Sequence, residues 1–155
     1  MKRGDIRDPE YHELCRQFSF SAWNEFMPRQ ISPTDIDNMK LIECNRHFLW
    51  FEFKTVGTSM QFGQRLAFIR LLGLDVGYSA LFVCEHPALS RVDAGHIEQF
   101  TVLQRRMDER MGVVRTVETE LMPASELQWW IQQWFLLAEG QPNEFGMKII
   151  QNAKE

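Results

Sequence analysis

The run Phe48-Leu49-Trp50-Phe51-Glu52-Phe53-Lys54 constrains the fold of this chain more than any other segment. It is short and aromatic-rich, with Asn45-Arg46 before it and Gly57 after it, which is the pattern of a β-strand. Side chains alternate along a strand, so Leu49, Phe51 and Phe53 share one face while Glu52 and Lys54 share the other. A carboxylate and an ammonium on so apolar a strand are costly unless they pair or ligate a metal. The charged face of this strand is therefore where chemistry is expected.

The surrounding segments predict how that strand is embedded. Residues 38–54 read as a hairpin turning at Asn45-Arg46. Residues 60–73 read as an amphipathic helix, with Phe62, Leu66, Ile69 and Gly73 on one stripe and Leu72 adjoining. Gln61, Gln64 and Arg65 fall near its other side. Residues 77–85 form a second apolar strand, and the order strand, helix, strand implies a right-handed crossover with parallel pairing. Phe100–Leu103 and Val113–Val117 read as a hairpin turning through Asp108 to Gly112. Ser125 and Gln128 are spaced as a capping box. They would open a helix carrying Leu127, Trp130, Ile131, Trp134 and Phe135, ended by Gly140 and Pro142. Residues 8–26 are helix-like, with Leu14, Phe18, Trp23 and Phe26 on a partial apolar stripe. The expected class is α/β, a mixed central β-sheet flanked by helices. Residues 1–145 are read as one domain and residues 146–155 as a frayed C-terminal tail.

The chemistry that suits a carboxylate and a lysine on one strand face is metal-assisted phosphodiester hydrolysis. Mg2+, or Mn2+ in its place, takes oxygen ligands and needs only one or two carboxylates. Asp37 and Glu52 would supply them, and the cation would activate water and offset charge on the scissile phosphate. Lys54 could orient the water, accept its proton or stabilise the phosphate, and the residues leave these three roles open.

Three pieces occur in order: Ser32-Pro33-Thr34-Asp35-Ile36-Asp37, then the Glu52-Phe53-Lys54 strand, then Gly63-Gln64-Arg65 opening a helix. Over residues 28–85 this arrangement resembles the PD-(D/E)XK nuclease superfamily, especially its small phage and bacterial members. The resemblance implies a restriction-endonuclease-like fold and a DNA endonuclease or resolvase-like activity. It implies Asp37, Glu52, Lys54 and Gln64 as catalytic residues, and Arg65 and Arg29 as contacts to nucleic acid. Either Asp35 or Asp37 fits the first motif. Asp37 matches as the main ligand, with Asp35 a second ligand or a turn cap. Superfamily members carry a glutamate on the first helix that Glu10 or Glu13 could match, although a solvated helix face explains both. A homodimer is the expected assembly on duplex or branched DNA, in the cytoplasm of a bacterial host.

Composition sets bounds on that reading. Hydrophobic residues make up 45% of the 155, which is ample for a core. The net charge of −4 argues against a tight, sequence-blind grip on DNA and favours local basic patches. It also keeps a second class in view: a nuclease-fold accessory or inhibitor protein that acts by binding a protein or nucleic acid. A third reading makes Glu52 and Lys54 a structural salt bridge. No apolar run reaches the ~18 residues of a membrane span, and Met1–Asp5 lacks the apolar centre of a signal peptide. Cys15, Cys44 and Cys84 are too widely spaced for a zinc site and read as free thiols. Glu85-His86-Pro87 follows a strand and could be a metal site, but His86 has no partner at ligand spacing and a strand-end turn is the better reading; His47 and His96 read as isolated. Trp130 and Trp134, four apart, are expected in the core, whereas Trp129 would mark a binding surface if exposed. Arg105, Arg106 and Arg110 lie at a hairpin tip that is expected to be solvated.

Overall fold

The computed structural model describes residues 40–75, 78–88 and 94–154. Among them a six-stranded mixed sheet carries three α-helices. Strand β1 (Lys40–Cys44) pairs antiparallel with β2 (His47–Thr55), and the two join at Asn45-Arg46. Both turn residues have positive φ, 49° and 69°. That is the geometry a two-residue hairpin needs to match the twist of its strands. Helix α1 (Phe62–Leu72) then crosses to β3 (Ala80–His86), which lies parallel to β2. Strand β4 (Gln99–Asp108) pairs antiparallel with β3 on one side and with β5 (Val113–Glu118) on the other. Beyond β5 the short β6 (Met122–Pro123) continues along the same edge of β4. At the break between them, Thr119 Oγ1 accepts the Val102 N–H at 2.9 Å, so a side chain fills a gap in the ladder. The α/β class and the mixed sheet thus agree with the expectation.

Pleating gives this sheet two unlike faces. On one, Leu49, Phe51, Ala80, Phe82, Cys84, Phe100, Val102 and Val117 form a continuous apolar layer. Helices α2 (Leu127–Ala138) and α3 (Phe145–Gln151) cover it through Trp130, Trp134, Ala138, Phe145 and Ile149. Burying each such large side chain stabilises the fold by about 1.5–3 kcal/mol. Aromatic contacts cross the layer, with Phe82 flanked by Phe51 at 5.6 Å and Phe100 at 5.9 Å between ring centroids. The opposite face carries α1 on a smaller cluster of Phe68, Leu72, Leu81 and Leu103, with Trp50, Met60, Leu71 and Val83 at its margin.

Several local expectations meet a different structure. The buried stripe of α1 is Gln64, Phe68 and Leu72, not the stripe through Phe62, which is 81% exposed. Phe68 and Leu72 reach the sheet one turn apart, and a polar residue completes their line because it finds polar partners beneath it. The Ser125 capping box does not form. Ala124–Glu126 make a 3-10 turn leading into α2, and no side chain caps the helix. Residues 146–154 do not fray as expected. Phe145 and Ile149 are fully buried, and the backbone beyond α3 pairs back on the sheet, Glu120 N to Asn152 O and Lys154 N to Glu118 O, both at 2.8 Å. Arg106 donates to the carbonyl of Gly146, where a Cβ would meet its guanidinium at 2.9 Å. Burial lowers the pKa of this arginine, which belongs to the packing of α3 and not to a solvated tip. Finally, Trp129 is half-buried and packs edge-on against Trp130 at 5.7 Å, so it is not a free surface aromatic.

Candidate functional site

Glu52 is 2% exposed, in the interior of β2 on the face that α1 covers. Its Oε1 lies 3.0 Å from the Lys54 ammonium, two residues along the same strand face. Gln64, from the first turn of α1, closes a triangle. Lys54 Nζ donates to Gln64 Oε1 at 2.9 Å, and Gln64 Nε2 donates to Glu52 Oε1 at 2.9 Å. Lysine can only donate and a carboxylate can only accept, so one amide orientation alone satisfies both. This explains why a glutamine, 8% exposed, occupies a buried helix position.

The triangle leaves one group unsatisfied. Among the described residues the buried Glu52 Oε2 has no hydrogen-bond partner. An unsatisfied buried acceptor costs about 1–3 kcal/mol, and more when charged. A hard divalent cation is a ligand that would remove that cost, because carboxylate oxygen is the donor it prefers. The residues present therefore fit such an ion, with Glu52 as the described ligand. Lys54, 18% exposed, stands between this oxygen-rich interior and solvent. Among the described residues no group of three or more His, Cys, Asp or Glu side chains is arranged to hold a metal. Asp35, Asp37 and Arg29, together with Glu10, Glu13 and the helix-like segment 8–26, lie outside the described residues.

Arg65 is committed elsewhere. Its guanidinium pairs with Glu118 of β5, which also faces Lys154 Nζ at 3.5 Å. The phosphate contact expected of Arg65 would have to compete with this pairing.

A second polar cluster was not legible in the sequence. His47 Nδ1 lies 2.5 Å from Asp75 Oδ2, Ser79 Oγ donates to the same oxygen at 2.6 Å, and Phe48 N donates to Ser79 Oγ at 2.9 Å. Tyr78 packs edge-on to the His47 ring. Ser79 Oγ donates to the aspartate and not to the histidine, so the three do not form a serine–histidine–aspartate relay. The cluster ties the β1–β2 hairpin to the segment between α1 and β3. No signal in the sequence joins residues 47, 75 and 79, because only the crossover brings them together. His86 Nδ1 is held by the Pro87 carbonyl at 2.6 Å. The Cys84 thiol sits in the apolar layer, where burial pushes its pKa up to about 12 and makes it unreactive. No helix among the described residues is long and apolar enough to cross a membrane.

Comparison with protein-family models, with curated proteins and with solved structures found no match.

Proposed function

We propose that this protein is a Mg2+-dependent DNA endonuclease or resolvase-like enzyme with a restriction-endonuclease-like core. The observation that carries the reading is Glu52. It is a buried carboxylate with one oxygen bound by Lys54 and Gln64 and the other without a partner among the described residues. The hairpin, helix and parallel strand around it also accord with that architecture.

In this reading Glu52, with Asp37 from the preceding motif, would hold the cation. When bound, the ion would supply Lewis-acid stabilisation of the phosphate and acidify water. The chain's own residues do the rest. Gln64 fixes the Glu52 carboxylate and the Lys54 ammonium relative to each other. Lys54 presents a positive charge at the solvent side, where it can orient the attacking water or stabilise charge on the phosphate. Preorganisation of this kind costs no rearrangement at the moment of reaction.

A second reading is favoured by one observation. Met111, Val113 and Val114 at the β4–β5 hairpin are exposed, and an apolar rim of this kind suits a protein partner. In that case the fold would act by binding, as an accessory or inhibitor protein.

The test incubates purified protein with Mg2+ or Mn2+ and labelled single-stranded, duplex, flapped and four-way DNA, beside Lys54→Ala. Metal-dependent cleavage that disappears in the variant is expected. A folded protein that cleaves none of these substrates would overturn the enzyme reading in favour of binding.

A further inference from the structure

The sheet puts a second carboxylate, Glu85 of the Glu85-His86-Pro87 stretch, on the same face as Glu52. In the parallel ladder Lys54 lies opposite Glu85 of β3, and Glu52 opposite Val83. Partners across a ladder point to the same side of the sheet, so Glu85 shares the face of Glu52 and Lys54. Glu52 and Glu85 are diagonal neighbours, roughly 7–8 Å apart at the backbone. Two glutamate side chains can converge on one ion across that gap.

Three further features distinguish this pair from a chance meeting of acids. Glu52 is almost wholly buried, and its Oε2 lacks a hydrogen bond among the described residues. Gln99, opposite Glu85 on β4, donates through Nε2 to Glu85 Oε2 and so holds the side chain in place. Among the described residues Lys54 is the cation on this face that pairs with Glu52 and lies opposite Glu85, while Arg65 is engaged by Glu118. Two negative charges against one positive leave a net negative charge that a divalent cation would neutralise.

We propose that Glu85 is a cation ligand, so that β2 and β3 hold one divalent ion between Glu52 and Glu85, with Gln99 positioning the second carboxylate. This rests on the nuclease reading of the Glu52 site and deepens it by naming a ligand from the next strand. In this arrangement one ligand comes from β3, beyond the crossover helix.

The experiment is Mn2+ titration of the full chain by calorimetry, with the cation-induced shift of the thermal midpoint as a second readout. Wild type, Glu52→Gln, Glu85→Gln, Glu85→Asp and Gln99→Leu are compared, and far-UV circular dichroism checks each fold. Glu85→Gln is expected to weaken Mn2+ binding at least roughly tenfold, and Gln99→Leu by a smaller factor. Glu85→Asp, which keeps the charge, should fall between wild type and Glu85→Gln and serves if the glutamine variant does not fold. If Glu52→Gln loses Mn2+ while Glu85→Gln and Glu85→Asp bind as wild type does, the Glu85 assignment is overturned and the Glu52 site stands. If wild type does not bind Mn2+, or Glu52→Gln binds it unchanged, the cation reading itself is overturned.

Discussion

The two faces of the sheet solve the same packing problem with opposite materials. The face under α2 and α3 is closed by large apolar side chains, with Trp130, Trp134, Phe82, Phe100 and Phe145 all fully buried. The face under α1 is apolar only toward Phe68 and Leu72. Toward the start of α1 it is built from Glu52, Lys54 and Gln64. An apolar layer gains stability from each group it buries. A buried ion pair roughly breaks even at best, because desolvation opposes the attraction between the charges. One face thus supplies stability, and the other keeps a polar interior that stability alone does not require.

The largest expected effect falls on the apolar face. Trp134→Ala should lower unfolding free energy by about 3–5 kcal/mol in urea titration, since the indole is fully buried and donates to the Tyr78 carbonyl. A loss under about 1 kcal/mol would remove the contrast between the faces. On the polar face the sign depends on how many groups are removed. Lys54→Met alone should cost about 1–3 kcal/mol, because it leaves the buried Glu52 charge without its counter-ion. Adding Glu52→Leu should recover that loss to within about 1 kcal/mol of wild type, while any metal-dependent cleavage stays lost. A double variant less stable than the single would mean that the triangle is structural.

Alkaline pH probes how dry the apolar face is. The Cys84 thiol has a pKa raised from its usual 9.0 to about 12. Between these values the unfolded chain releases a proton that the folded chain retains. Stability should therefore be intact below about pH 9 and fall as pH rises toward 12, by about 1 kcal/mol at pH 10. A Cys84→Ala chain should lack that part of the slope, and identical slopes would show that water reaches the thiol. The smallest effect belongs to Phe62→Ser. The sequence stripe puts this residue in the core, where its loss would cost several kcal/mol, but its exposure predicts a change within about 0.5 kcal/mol by the same titration.

Much of the site was readable because strand periodicity is strict. A period of two puts Glu52 with Lys54 and sets Leu49, Phe51 and Phe53 opposite, with no tertiary information needed. The hairpin at Asn45-Arg46, the parallel β3 and the Trp130–Trp134 core stripe were legible for similar reasons. Helical patterns were less reliable. On α1 an apolar count chose Phe62, whereas the folded helix turned Gln64 inward because Glu52 and Lys54 wait beneath it. The tail 146–155 has little pattern of its own, and its helix is held by contacts with Arg106 and with the β5 end of the sheet.

The sequence by itself determined the class of the fold, the two-faced strand and the residue types able to bind a cation, since these follow from local periodicity and side-chain chemistry. Only the tertiary structure decided that Gln64 bridges Glu52 and Lys54, that Arg65 is taken by Glu118, that Asp75 meets His47, and that Glu85 stands opposite Lys54. Those pairings depend on strand register and on the path of a crossover helix. Both are fixed by the summed packing of distant residues, which no local stretch of sequence encodes.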